Sequence, residues 1–295
     1  MRAALALGTL LLGMSAQAQD LVPLPLLGRP VLLEAAYLRD SNINRGPDAG
    51  PRHSDDVFSL NASMGRPFSL HRHVRLVATG TVGGEKHADA GRLDRATAAA
   101  RAELQYRGAG TFFAPTFGAF ARLAYDHFDS DLRSGQRRTL GVNARQPLTD
   151  RLELFGTLAR ETRRADHEVF EGRFNAARAN LDYALGPGRG TLYLGAERRR
   201  GDAVSSVPSG FENVVPARAW VADDAFDGLY AYRYEARTTI WTLGYNRALG
   251  PRSALDVFAR RIEARPDGAQ AWGMYGAGSA RYSANQLSAA LLMRF

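Results

Sequence analysis

Arginine is the side chain with the most chemistry to offer here. Arg75, Arg101, Arg122, Arg145 and Arg178 all fall on the polar side of segments in which polar and apolar residues alternate. A guanidinium presents a planar fork of donors that fits carboxylates and phosphates. Left unpaired along one wall, such arginines would guide anionic solutes; paired with neighbouring carboxylates such as Glu103 and Asp182, they would instead brace the wall with salt bridges. Histidine is the second group. His53, His87, His127 and His167 each stand beside acids, an arrangement that can move protons or hold a divalent metal, whereas His71 and His73 do not. No His-x-Ser or Asp-x-His spacing accompanies them, so solvated loop histidines are the plainer reading and neither a catalytic nor a metal site is expected. Absence of cysteine excludes disulfides, thiolate metal sites and a cysteine nucleophile. The glycine run 186–190 lacks the spacing of a dinucleotide or phosphate loop and reads as a tight turn, and no cofactor is implied.

The elements that position these residues are strands. From Arg95 to Tyr106 one face carries Ala96, Ala98, Ala100, Ala102, Leu104 and Tyr106, and the other Arg95, Thr97, Ala99, Arg101, Glu103 and Gln105. That is a period of two, not of 3.6. Phe117, Ala119, Ala121, Leu123 and Tyr125 likewise oppose Phe120, Arg122 and Asp126, and Ala177, Ala179, Leu181 and Tyr183 oppose Arg178, Asn180 and Asp182. Tyr106, Phe117, Tyr125 and Tyr183 lie toward strand ends, where an aromatic girdle meets a membrane interface. On this register the polar interior also receives Glu34, Asn143, Glu153, Glu197, Arg199, Asp256 and Arg260. Thirty glycines and eleven tyrosines suit strands and turns, and a mean hydropathy of −0.28 is what a sheet with one wet face gives.

The last strand ends on a bare aromatic, and stepping back by twos from Phe295 gives Met293, Leu291, Ala289 and Leu287. A C-terminal strand of this kind resembles the assembly signal of bacterial outer-membrane β-barrel proteins. The resemblance implies an all-β transmembrane antiparallel barrel in the outer membrane, with the barrel-assembly machinery, membrane lipid and lipopolysaccharide as partners. At the other end, Arg2, an apolar stretch Ala3–Met14 too short to span a bilayer, and Ala16-Gln17-Ala18 read as a secretory signal over residues 1–18, leaving 19–295 as the barrel domain. A net charge of +8 would suit nucleic acid in a cytosolic protein, but here the arginines are dispersed and the chain is exported, so no nucleic-acid partner is expected.

Turn-like segments at 67–71, 108–115, 147–151, 186–190 and 250–253 alternate with longer polar stretches at 44–54, 85–94, 130–136, 164–169, 201–230 and 265–280. Short periplasmic turns and longer external loops alternate in this way, giving about twelve strands with both termini in the periplasm. A soluble β-sandwich also alternates, yet it explains neither the terminal Phe nor the loop pattern.

Residues 34–60, EAAYLRDSNINRGPDAGPRHSDDVFSL, are similar to the first hairpin of barrel porins associated with exopolysaccharide export, and to the terminal barrel of surface lipoprotein assembly modifiers. The resemblance implies transport: a pore or export conduit for hydrophilic solutes, anionic ones or polysaccharide among them. A surface enzyme using the loop His and Asp groups, and a structural barrel plugged by salt bridges, are the alternatives.

Overall fold

The computed structural model describes residues 31–48, 50–108, 113–186, 188–268 and 280–295, together with a two-residue strand pair, 6–7 with 9–10. Apart from that pair, the proposed signal segment 1–18 lies outside the described residues. The chain forms a closed antiparallel barrel of twelve strands. They are β1 (Val31–Asp40), β2 (Asp55–His71), β3 (Val74–His87), β4 (Arg95–Arg107), β5 (Thr116–Phe128), β6 (Gly135–Pro147), β7 (Leu152–Ala165), β8 (Gly172–Ala184), β9 (Thr191–Val207), β10 (Tyr230–Gly250), β11 (Ser253–Pro266) and β12 (Tyr282–Arg294). Each strand pairs with its sequence neighbour. A short strand, Ala219–Ala222, adds to β10 at the external end.

Closure is made by β12 on β1, in a register running from Gln286–Asp40 to Arg294–Leu32. Beyond it Phe295 exchanges both backbone hydrogen bonds with Val31, at 2.9 and 3.0 Å. The terminal residue therefore fastens the last rung of the seam and leaves no free edge there, as a membrane demands. Leu287, Leu291 and Phe295 face outward, as the dyad period requires.

The expected faces hold along the wall. Ala98, Ala100, Leu104, Leu123 and Leu181 point out, while Arg101, Arg122, Arg178 and Asp182 point in. Tyr106 and Phe117 are directly paired across β4 and β5, and with Tyr125 and Tyr183 all four girdle aromatics face the membrane. No helix among the described residues is long and apolar enough to cross a bilayer.

Two boundaries differ from expectation. The turn expected at 67–71 is strand, and the chain turns at 72–73 instead. β1 pairs with β2 only as far as Val31–Met64, so Pro67 sits on a stretch whose β1 side has no partner among the described residues, where a missing N–H costs no ladder bond. Similarly, 201–207 is not loop but the end of β9, paired to β10 as far as Val207–Tyr230. Gly201 suggested a loop because it is glycine; in fact it holds φ +143° inside the strand, and a Cβ there would lie 2.2 Å from the Arg173 carbonyl oxygen. The length rule is also looser than expected, since the periplasmic segment 108–115 exceeds the external 129–134 and 166–171.

Candidate functional site: an arginine-lined chamber under a loop lid

The external loops converge over the mouth. From the first, Asn44 accepts a backbone bond from Ser206 of β9 at 2.8 Å and donates its side-chain amide to the Ser206 carbonyl, also at 2.8 Å. Ser206 lies on the opposite side of the seam from β1, with three strands between, so the first loop reaches inward across the opening. Asp40, Ser41 and Asn42 start it as turn formers do: the Asp40 carboxylate accepts from the Asn42 backbone and pairs with Arg45 at 2.8 Å, while buried Asn42 bonds Gly46 and Ser283. Asp55 opens the return by accepting the backbone N–H groups of Ala88, Asp89 and Ala90 in the second loop. At the base of that loop Asp94 accepts from the His87 backbone and from Lys86. Burial would raise its carboxyl, yet these bonds hold it below the ordinary carboxylate range.

The fifth loop, 208–229, is the keystone. Phe226 and Leu229 pack with Ala90 against Ile43 and Leu93, and Ala219 packs with Val169 and Phe170 of the fourth loop. Asp223 and Asp224 grip Arg133 of the third loop. Its guanidinium donates to both Asp223 oxygens, at 2.6 and 2.8 Å, and to Asp224 at 2.6 Å, with the Phe170 ring 4.1 Å beneath. Phe211, Val214 and Val215 fold onto Tyr232 and Tyr234, filling one side of the mouth with apolar side chains.

Beneath this lid lies a cavity of about 300 Å³. Arg45, Arg95, Arg133, Arg137, Arg163 and Arg199 line it together with Glu85, Glu161, Glu171 and Asp202, and all of these arginines but Arg163 hold ion pairs, with Asp40, Glu85, Asp223 and Asp224, Asp126 and Glu197 respectively. Arg95 pairs with Glu85 at 2.5 Å, and Arg137 is bound to Asp126, which also accepts from Thr97 at 2.8 Å. Arg163 donates to the Arg133 carbonyl at 2.7 Å and has no ion-pair partner among the described residues. It lies within electrostatic reach of Arg137 and Arg95 and also of the carboxylates Asp126 and Glu161.

Below the chamber a second cluster of side chains fills the side of the lumen formed by β8 to β11. Arg178 and Arg199 share Glu197, and Arg260 donates to Thr242 and Gln286 at 3.3 Å each with the Phe258 ring 4.6 Å away. The space among Arg178, Glu197 and Arg260 is only about 10 Å³, room for a single water. Tyr193, fully buried, packs with Leu38, Val57 and Phe258 and donates its hydroxyl to Asp256.

The seven lumen residues singled out in the sequence fall into three settings. Arg101 pairs with Glu103 at 2.5 Å, its guanidinium stacked 3.9 Å over Phe120, and Glu103 also accepts from Gln105 and Asn143. Arg145 pairs with Glu153 at 2.6 Å, Arg178 with Glu197, and Asp182 accepts from Asn180. Arg122 faces Thr139 across one strand and Arg101 across the other, without an ion-pair partner among the described residues. Arg75 stands at the periplasmic end, exposed, donating to Gln105 at 2.6 Å.

Arg137, Arg163 and Arg133 were not singled out. The first two belong to Arg-Arg pairs, 137–138 and 163–164, that put one guanidinium on each face, and both adjoin the segments read as loops at 130–136 and 164–169. Counting by twos from Asn143 and Arg145 would have reached Arg137. Arg133 carries no periodic signal, because its role is set by the fifth loop.

The histidines do not form a common site. His87 is buried with Nδ1 3.7 Å from Asp94, His53 packs at a tilt against Phe226 with ring centres 5.6 Å apart, His167 caps a short 3-10 turn at Glu168–Phe170, and His127 faces outward. His71 and His73 meet at the first periplasmic turn. Among the described residues no group of three or more His, Cys, Asp or Glu is spaced to hold a metal ion.

Among solved structures, an outer membrane channel from Pseudomonas putida F1 superimposes with a TM-score of 0.57 at 13% identity, over 94% of this chain and 98% of that one. A KdgM porin solved with oligogalacturonate matches over 89% and 99% at 10% identity and a TM-score of 0.40, and a NanC porin over 88% and 98% at 8% identity and a TM-score of 0.43. No family model and no curated protein matches the chain. With its seam closed at Phe295 and its apolar belt turned outward, the fold is that of a porin-like β-barrel of the bacterial outer membrane.

Proposed function

We propose that the protein is a channel for hydrophilic solutes that favours anions, and that it admits them by release of the loop lid. The observation that carries this reading is the chamber: arginines line the space just inside a mouth held shut by loop-to-loop contacts, and one of them, Arg163, has no ion-pair partner among the described residues. Fixed guanidinium groups in a narrow, low-dielectric passage attract anions and replace part of their hydration shell. Arg122 continues the positive wall toward Arg101 and Arg145 on the periplasmic side, which gives a solute successive sites that are weak enough to leave.

The test is the zero-current potential of the purified barrel in a planar bilayer under a salt gradient. Anion preference that falls in Arg163→Glu and weakens as salt rises supports the reading, since screening shortens the reach of these charges. A second reading, a closed structural barrel, is favoured by the paired arginines Arg101, Arg145 and Arg178. It predicts no conductance from wild type or lid-released protein, together with loss of thermal stability when the pairs are broken.

A further inference from the structure

The chamber under the lid has two unlike sides. In a ring of twelve strands β5 and β6 stand across the lumen from β11 and β12. Among the described residues, β10 to β12 turn no charge into the chamber: they contribute Ala236, Thr238, Ile240, Ile262 and Tyr282. Ile240 and Ile262 are direct cross-strand partners and pack with Tyr282 in one buried apolar cluster. On the other side Phe128 closes β5, followed by Arg137 on β6 and Arg163 on β7.

The guanidinium groups on that side rest on aromatic rings. Arg95 and Arg163 each lie 5.4 Å from the centre of the Phe128 ring, and Arg199 lies 5.2 Å from that of Phe174. A ring against its face takes water from the guanidinium plane and leaves the N–H edge available. Arg163 spends one donor on the Arg133 carbonyl, and Glu161, two residues along β7, accepts from Thr139 at 3.2 Å and forms no ion pair with it. Phe174 is seated by its partner on β9, Gly201, where a Cβ would lie 2.9 Å from that of Phe174.

We infer that the chamber selects small monocarboxylates with a compact apolar body, the carboxylate on Arg163 and the body against Phe174 and the Ile240–Ile262 wall. This rests on the anion preference proposed above and narrows the solute. A chamber of about 300 Å³ is at the floor of ligand-holding pockets, room for one ring and its carboxylate and too little for an oligosaccharide. A sugar acid of the same size would press hydroxyls against a side that offers few partners, which costs free energy, whereas an apolar ring gains by leaving water there. A bare inorganic anion would have no use for that side. Because the guanidinium is already partly stripped of water by Phe128, its bond to a carboxylate is exchanged for little hydration.

The experiment is calorimetric titration of the full chain folded in detergent, with protein-free micelles as blank, using three six-membered rings: cyclohexanecarboxylate, glucuronate and the neutral cyclohexylmethanol. Cyclohexanecarboxylate should bind at least tenfold more tightly than either of the others, the factor that about 1.4 kcal/mol gives. Arg163→Gln should lower its affinity about tenfold and leave cyclohexylmethanol unchanged, while Phe174→Gln should narrow its lead over glucuronate. A heat-dependent gel shift certifies folding, and the three ligands on unaltered protein decide the matter if a variant does not fold. Glucuronate bound as tightly as cyclohexanecarboxylate, or affinity for the latter unmoved in folded Arg163→Gln, would overturn the assignment; anion-selective conductance measured alongside would then leave the channel reading standing. The selective binding without conductance from wild-type or lid-released protein would support the site and sink the channel reading instead.

Discussion

Replacing Arg133 with alanine is the sharpest probe of the lid. The guanidinium makes three bonds to two carboxylates and a fourth to the Ser130 hydroxyl at 3.0 Å, with only 6% of its side chain exposed and none of Asp223's. Removing it leaves Asp223 buried with Ser206 and the Ala225 backbone N–H as its remaining donors. Breaking a buried pair from one side costs about 3–5 kcal/mol, largely because the remaining charge stays desolvated. At about 1.4 kcal/mol per power of ten, the clasp equilibrium should move by roughly two to four decades toward the open mouth. The twelve-strand ladder is untouched, so the folded barrel should persist on a gel while the fifth loop becomes cleavable by protease and single-channel conductance rises. Arg133→Lys, which keeps the charge but not the fork, should fall between the two. If Arg133→Ala keeps both wild-type conductance and wild-type protection of residues 208–229, the lid does not rest on this clasp and the gating argument fails.

Three further outcomes follow from the wall. Deleting Phe295 removes the two backbone bonds to Val31 and an interfacial aromatic, and should lower membrane insertion measured as the heat-shifted fraction on a gel; unchanged insertion would count against the closing role of the seam. Asp at Ala100 should impair insertion more than Asp at neighbouring Ala99, by up to about 2–4 kcal/mol at the midplane, because the first faces lipid and the second the lumen; equal tolerance would refute the register. Arg101→Ala/Arg122→Ala should lower anion selectivity more than either single change, as read from zero-current potentials; a loss of thermal stability with no change in selectivity would assign both residues to bracing the wall.

The period of two was enough to determine which residues face lipid and which face the lumen, because in a strand the side of the wall is fixed by parity alone. That is why Ala98, Ala100 and Leu181 on one side, and Arg101, Arg122 and Arg178 on the other, were legible residue by residue. The terminal Phe with its alternating apolar partners was legible for the same reason. Parity is silent where it is interrupted or does not apply. Gly201 and Pro67 are written in the sequence as breakers and are carried inside strands, since neighbouring registers left room for a positive φ and for a missing N–H. The Arg137-Arg138 and Arg163-Arg164 pairs put the same residue type on both faces, so composition could not say which member lines the chamber. Pairing was beyond sequence altogether: whether Arg178 meets Glu197 while Arg122 has no ion-pair partner among the described residues depends on the stagger between adjacent strands. The lid belongs wholly to tertiary structure. Arg133 and Asp223 are ninety residues apart, and Asn44 and Ser206 more than a hundred and sixty, so only closure of the barrel brings their loops over one mouth.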